Sequence, residues 1–135
     1  MNNTPLPAGL RTWFVIHFAV DLLVGIPLLC FPEVIMPIIG WETIDPITSR
    51  IVGAALMGIG IESWLGRDAS IEVYRAMLNL KVIWSSSAII GIALGLWMGG
   101  AKAGWLFLFI FVIFWFIWIY YWIVIERQKR QDREK

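Results

Sequence analysis

Long apolar runs alternate with short polar or proline- and glycine-rich stretches along most of this chain. Each run is about twenty residues long, the length a helix needs to cross a bilayer core of about 30 Å. The pattern predicts helices over residues 10–31, 46–65, 71–98 and 103–125, followed by a charged tail over 126–135.

The stretch between the first two predicted helices reads differently. Pro32 and Pro37 interrupt its apolar residues, and the Gly40–Trp41 pair indicates a turn. We therefore expect a short interfacial segment here, lying over one end of the bundle. Asp45 is a good N-cap for the next helix, with Pro46 at its first position.

The composition makes a bilayer the better solvent for these helices. Hydrophobic residues are 59% of the 135-residue chain, against roughly 45–50% in soluble domains, and the mean hydropathy is +0.75. We predict one all-α domain over residues 1–135, a four-helix transmembrane bundle. The net charge of +1 gives no reason to expect a nucleic-acid partner, and the single cysteine, Cys30, excludes an internal disulfide.

Basic residues are distributed unequally between the two ends of the predicted bundle. Only Arg50 and Lys102 lie on the side opposite the N-terminus. Because cytoplasmic loops are enriched in Lys and Arg, we expect a multi-pass protein of the plasma membrane with both termini in the cytoplasm. The basic residues on the N-terminal side are Arg11, Arg67, Arg75, Arg127, Lys129, Arg130, Arg133 and Lys135.

Several polar residues lie inside the apolar runs, where a central charge costs roughly 2.5–3.5 kcal/mol. The topology places them in the cytoplasmic half of the bundle, and we predict a ligand or ion site there, made of His17, Asp21, Glu62, Asn79 and Lys81. Two alternatives remain open. The charges can neutralise one another and fix helix register, or Glu62 and Lys81 can extend to the interface.

Arg50 lies in the outer half, near the acidic residues Glu33, Glu42 and Asp45 of the interfacial segment. A salt bridge there would hold the segment in place. The other interpretation is an anion or lipid-headgroup site made by Arg50, Glu42 and Asp45.

No pattern of residues points to catalysis. The chain lacks the HExxH, GxSxG and P-loop motifs, and one histidine with scattered carboxylates does not have the spacing of a metal site. We therefore assign no catalytic or metal-binding residues and favour a role other than that of an enzyme.

Small and aromatic residues suggest how the helices pack. On the second predicted helix a smooth surface is made by Gly53, Ala54, Gly58 and Gly60, with Ala54 and Gly58 in close-packing spacing. A second seam repeats every four residues, at Ser87, Gly91, Gly95 and Gly99. The last predicted helix is apolar on every side, which favours broad contact with lipid, a second copy or a membrane partner. If its aromatic residues bind a ligand, quinones and isoprenoid lipids are the chemical match.

Residues 25–63 resemble the small four-helix DoxX-like membrane proteins. The matching features are Gly25-x-Pro27, Pro32–Glu33 leading to Gly40, Asp45–Pro46, and Arg50-x-x-Gly53–Ala54 with Gly58 and Gly60. The resemblance implies the four-span plan, and for some members an accessory role beside quinone-linked oxidoreductases. Arg50 is the position carried over from that pattern.

A second stretch, Arg75–Ala76-x-x-Asn79, is similar to the RAxxN motif of the membrane-associated glutathione and eicosanoid enzymes. It departs from that family in two ways. It opens the third predicted helix, where the family has it on the second, and Val82 stands where the family has an acid.

The leading functional prediction is a non-enzymatic membrane bundle that binds a hydrophobic ligand, such as a lipid or quinone, or assists a partner membrane complex. The alternatives are a small transporter or channel that uses the buried charges, and a glutathione-transferase-like membrane enzyme. We also expect a homo-oligomer, formed through the last helix.

Overall fold

A computed structural model describes residues 5–134, and within that range the chain is helical, without strands. The all-α prediction is confirmed for this range; Lys135, the end of the predicted tail, lies outside it. A 3₁₀ turn at Gly66–Asp68 separates the third and fourth helices. The α-helices are α1 (Leu10–Cys30), α2 (Pro32–Ile38), α3 (Pro46–Leu65), α4 (Ile71–Trp97) and α5 (Gly104–Arg133).

The helix count differs from the expected four. The interfacial segment contains a helix of its own, α2, which begins at Pro32 as its first residue, a position that suits the fixed φ of proline. At the other end of the chain, α5 continues through most of the predicted tail to Arg133. Glu, Arg, Gln and Lys, which make up most of this extension, are all good helix formers in water.

Three of these helices, α1, α4 and α5, are long and apolar enough to cross a membrane. The remaining long helix, α3, does not reach the same level of hydropathy among the described residues. Polar residues near both of its ends lower its average, with Arg50 in the first turns and Glu62 in the last. A four-span bundle is therefore not established by hydropathy alone.

Helices α1 and α3 pack together along a line of glycines. A Cβ atom on Gly53 would lie 2.7 Å from the backbone nitrogen of Leu29, and one on Gly25 would lie 3.0 Å from the carbonyl oxygen of Gly53. One turn of α1 before Gly25, a Cβ on Gly60 would lie 2.6 Å from Cβ of Asp21. These close approaches bring the side chain of Asp21 against α3.

The small residues expected to make packing surfaces do so within this chain only in part, since Gly53 and Gly60 meet α1 but Gly58 does not. Gly58 is exposed and a Cβ there would meet no atom within 4 Å, and the same holds for Gly91 and Gly95 on α4. On α3 the buried line is Gly53, Leu56, Gly60 and Ser63. On α3, the predicted small-residue surface therefore contacts α1 through Gly53 and Gly60 and not through the Ala54–Gly58 pair.

Two apolar clusters fill the interior, one at each end of the helices. The larger surrounds Phe14, Tyr74 and Trp118 and joins α1, α4 and α5. The smaller surrounds Leu28, Met36 and Leu56 and joins α1, α2 and α3. Buried polar residues, His17 and Lys81 among them, lie beside the larger cluster and face a cavity.

Salt bridges connect helix ends around the larger cluster. Arg11 pairs with Asp68 at 2.5 Å and Lys129 pairs with Glu72 at 2.8 Å. Arg75 on α4 forms a third ion pair, with Glu126 on α5. This end of the helices therefore carries three ion pairs, and the interior next to them is rich in aromatic side chains.

Candidate functional site

The centre of the site is His17, whose ring faces a carboxylate and an ammonium group. Its Nδ1 atom lies 2.8 Å from Oδ2 of Asp21, one turn later in α1, and 3.1 Å from Nζ of Lys81 in α4. All three side chains are buried, with exposures of 7%, 5% and 3%. The close approach of α1 to α3 fixes the position of Asp21.

The Asp21 contact is close but is not a well-directed hydrogen bond. Oδ2 of Asp21 receives no hydrogen bond of acceptable geometry from any described residue, despite its short distance to the ring. Nδ1 of His17 either donates or accepts a hydrogen bond, so it can satisfy at most one of Asp21 and Lys81 at a time.

Lys81 is held by a second partner on α3. Its Nζ donates to Oγ of Ser63 at 2.7 Å, and that hydroxyl donates to the carbonyl oxygen of Ile59 at 2.7 Å. Ser85, one turn after Lys81, donates to the Lys81 carbonyl oxygen at 2.7 Å. The group formed by His17, Asp21, Ser63, Lys81 and Ser85, named the polar cluster, therefore joins α1, α3 and α4.

Aromatic rings enclose the polar cluster. The His17 ring lies edge-on to Phe114 and Trp118, with centroids 4.8 and 5.0 Å away. Nζ of Lys81 lies 4.9 Å from the ring centre of Phe14 and 5.0 Å from that of Trp118. Cation–π attraction of this kind is worth about 2 kcal/mol or more when the cation is desolvated.

A cavity of about 360 Å³ opens beside the polar cluster. His17, Asp21, Lys81 and Ser85 form part of its wall, and most of the remaining wall is apolar. The apolar side chains come from α1, α3, α4 and α5 and include Val20, Val24, Leu56, Trp84, Phe111 and Phe114. The cavity therefore has apolar sides and a polar wall at the cluster.

The interfacial segment, residues 32–45, covers the other part of this cavity and is named the lid. Met36, Trp41 and Ile44 of the lid contribute to the cavity wall. Trp41 also lies edge-on to Phe107 of α5, with ring centroids 6.2 Å apart. The lid therefore contacts the last helix as well as the cavity.

A two-pronged ion pair fastens the lid to α3. Arg50 donates from Nη1 to Oε1 of Glu33 at 2.8 Å and from Nη2 to Oε2 at 3.1 Å. The Arg50 guanidinium lowers the pKa of the Glu33 carboxyl below its ordinary value of 4.5, mainly through these hydrogen bonds. Such paired geometry is the strong form of an Arg–carboxylate contact.

At the far end of the lid, Asp45 caps α3. Its carboxylate accepts hydrogen bonds from the hydroxyl of Thr48 at 2.8 Å and from the backbone N–H of Ile47 at 2.9 Å. These bonds, that of the Thr48 hydroxyl first, lower the pKa of Asp45. No ion pair joins Arg50 to Glu42 or Asp45 in the described part of the chain, so the structure does not gather these three into one anion site.

Two residues of the predicted ligand or ion site lie away from the polar cluster. Glu62 is exposed on α3, whereas its neighbour Ser63 faces Lys81. Asn79 is exposed on α4, and its side-chain oxygen accepts a hydrogen bond of 2.7 Å from Trp122 of α5. Of the five predicted residues, His17, Asp21 and Lys81 come together.

The site residues that sequence reasoning missed are Ser63, Phe14, Phe114 and Trp118. A signal for the last two is present in helical spacing, because Phe111, Phe114, Trp118 and Tyr121 recur every three or four residues, as one face of a helix does. Ser63 continues the line of Gly53 and Gly60 on α3. Phe14 precedes His17 by three residues and shares its face.

The polar cluster offers hydrogen-bond donors and acceptors beside an apolar cavity wall. Among the side chains that the structure describes, no group of three or more His, Cys, Asp and Glu is placed to hold a metal ion. The RAxxN-like stretch does not contribute to the cavity wall; Arg75 pairs with Glu126 and Asn79 with Trp122.

Comparisons with protein-family models, curated proteins and solved structures found no match for this chain. The resemblance to DoxX-like proteins therefore stays a prediction, and the geometry of the site is the basis for assigning a function.

Proposed function

We propose that this protein is an integral membrane protein that binds an apolar molecule in the cavity beneath its lid, with the molecule's polar group at the polar cluster. One observation carries the proposal: an apolar cavity of about 360 Å³ meets a buried group of convergent polar side chains at one wall. Ligand sites commonly combine these features, at volumes of about 300–1,000 Å³.

The electrostatics of the cluster support binding over a purely structural role. A purely structural ion pair gains most when each group is fully hydrogen-bonded. Here Oδ2 of Asp21 receives no such bond, and Lys81 and Asp21 both face the cavity. A lipid head that donates to Asp21 and accepts from Lys81 would complete the hydrogen bonding of the cluster, whereas a quinone carbonyl would pair with Lys81 alone.

The proposed membrane arrangement has four spans, with α3 as the fourth. Its length of 20 residues matches the 21 of α1, and the glycine seam holds the two helices side by side. Packing against α1 shelters part of the polar surface of α3 from lipid. The basic residues near the N-terminal end favour cytoplasmic termini, and we propose the plasma membrane as the location.

Topology can be tested with single cysteines at Lys102 and Arg130, placed in a Cys30→Ser background and labelled with a membrane-impermeant maleimide on intact cells. The proposal predicts labelling at position 102 and protection at position 130. Labelling at 130 alone would reverse the orientation, and labelling at both would contradict the placement of α5 across the membrane.

An outward face of α5 is available for a partner. Trp105, Phe109, Phe116 and Tyr120 are each more than 60% exposed, and this set follows helical spacing. We propose that this face meets lipid, a second copy or a membrane complex, in line with the DoxX-like resemblance.

Ligand binding is tested by gentle purification followed by organic extraction and mass spectrometry. A lipid or quinone retained in near-stoichiometric amount by the wild type, and absent from a variant with a filled cavity, would support the proposal. Equal retention by both would show that the molecule lies on the outer surface.

A further inference from the structure

The polar wall of the cavity is built for a group that both donates and accepts a hydrogen bond. Nδ1 of His17 has an acceptor, Oδ2 of Asp21, at 2.8 Å and a donor, Nζ of Lys81, at 3.1 Å. One ring nitrogen satisfies only one of the two. Whether Nδ1 of His17 is protonated or not, therefore, either Asp21 lacks a hydrogen-bond donor or Lys81 lacks an acceptor.

The remaining partners do not repair this mismatch. Ser63 accepts from Lys81 and donates its own proton to Ile59, and Ser85 donates to backbone carbonyl oxygens. An ammonium has three N–H donors. Among the described residues, Lys81 has two hydrogen-bonding partners, Ser63 and His17, which is one fewer than its donors. Asp21 and Lys81 both form part of the cavity wall, so a bound molecule can supply what is missing.

The charge balance limits what that molecule carries. The cluster contains one buried basic side chain, Lys81, and one buried acidic side chain, Asp21. A carboxylate head would pair with Lys81 but meet the repulsion of Asp21, and an amine would do the reverse. An additional net charge in an apolar interior is strongly unfavourable unless it is paired.

We infer that the cavity selects an apolar molecule ending in a neutral hydroxyl, that is, a long-chain or isoprenoid alcohol or a phenol. A hydroxyl donates to Asp21 and accepts from Lys81, and therefore fits the cluster in both states of His17. An ether or ketone only accepts and leaves Asp21 without a donor. Water has the same two capacities as an alcohol, but it cannot fill the apolar part of the cavity.

This inference rests on the proposed binding function and specifies its ligand class. The test uses the full-length protein in nanodiscs at about pH 7, where the carboxylic acid probe is ionised and the amine probe is protonated. Saturable binding, above that of empty nanodiscs, is measured separately for four tritiated probes: dodecanol, dodecyl methyl ether, dodecanoate and dodecylamine. The four probes share a chain and differ in the head.

The expected order has dodecanol tightest, with the methyl ether about tenfold weaker because Asp21 stays without a donor. Both charged probes are expected to be weaker than the ether. An ether as strong as the alcohol, or a tighter carboxylate or amine, would overturn the hydroxyl inference and leave the binding function standing. Absence of saturable binding by all four would overturn both.

A charge substitution sharpens the same test. Asp21→Asn removes the repulsion of an anionic head while Lys81 remains, so dodecanoate is expected to gain about tenfold and the preference for dodecanol to shrink. Glu134→Gln, which neutralises an exposed acid at the end of α5 and outside the cavity wall, should leave the wild-type order unchanged. If Asp21→Asn does not fold, the wild-type series alone decides, because its order is predicted independently.

Discussion

Gly60 of α3 lies so close to Asp21 of α1 that a Cβ atom at position 60 would be 2.6 Å from the Asp21 Cβ. The absence of a side chain on one helix thus sets the position of a buried carboxylate on the other. Through Asp21, this contact also positions the ring of His17 and the polar wall of the cavity.

The first prediction concerns this contact. Gly60→Ala should destabilise the protein by about 1–3 kcal/mol, because neither the Asp21 Cβ nor the backbone can move away without repacking. Gly58→Ala is the matched control, since a Cβ there meets no atom within 4 Å. Thermal unfolding in detergent measures both. Equal melting temperatures for the two variants would contradict the described packing of α1 on α3.

The second prediction concerns the buried charges. Lys81→Met should cost about 3–5 kcal/mol, because it leaves Asp21 charged and without its counter-ion. Adding Asp21→Asn should recover much of that loss, since the pair then carries no charge. A double-mutant cycle on unfolding free energies measures the coupling. Strictly additive losses would show that the two residues do not act as a pair.

The third prediction concerns the lid at low pH. The pKa of Glu33 is lower in the folded protein than its ordinary value of 4.5, owing to Arg50. The ion pair therefore stabilises the lid at any pH above the ordinary value, and this contribution is lost as the pH falls through the lowered pKa. Hydrogen exchange of the α2 amides, corrected for the intrinsic pH dependence, should show protection decreasing only below about pH 4.5.

Glu33→Gln is the control for the lid, because it keeps the shape of the side chain and Asp45 still titrates. This variant should have lower α2 protection at neutral pH and a smaller further decrease on acidification. An acid transition as large as that of the wild type would assign the effect to another group.

The fourth prediction concerns the cavity itself. Val24→Phe adds a ring where Val24 forms part of the wall, and should abolish ligand retention with little loss of fold. Leu23→Phe introduces the same ring at the neighbouring residue, which is 75% exposed, and should retain ligand as the wild type does. Extraction and mass spectrometry of both variants provide the comparison. Ligand lost from both, or from neither, would place the binding site elsewhere.

The sequence predicts the helices and the polar residues within them, but it does not determine how each helix is rotated about its own axis. His17, Asp21 and Lys81 stand out because a charged or ionisable side chain inside an apolar run is costly in whichever direction it points. Glu62 stands out for the same reason, yet its neighbour Ser63 is the residue that faces Lys81. Neighbouring residues on a helix point about 100° apart, and the partner helix decides which one is buried.

The glycine seam shows the same limit. The four-residue spacing of Ala54 and Gly58 is a valid packing pattern, but α1 lies against Gly53 and Gly60. The lid ion pair is among the expected possibilities because Arg50 and Glu33 are neighbours in the topology. The cavity could not be anticipated, since it depends on the spaces between side chains from several helices.

The most direct test of ligand binding in the cavity is photolabelling of the protein in membranes with a long-chain alcohol that carries a diazirine at the end of its tail. Binding beneath the lid predicts labels on cavity-wall residues such as Val24, Leu56 and Phe111, removed by excess dodecanol and absent in Val24→Phe. Labels confined to exposed positions such as Leu23 and Trp97, and insensitive to dodecanol, would contradict it.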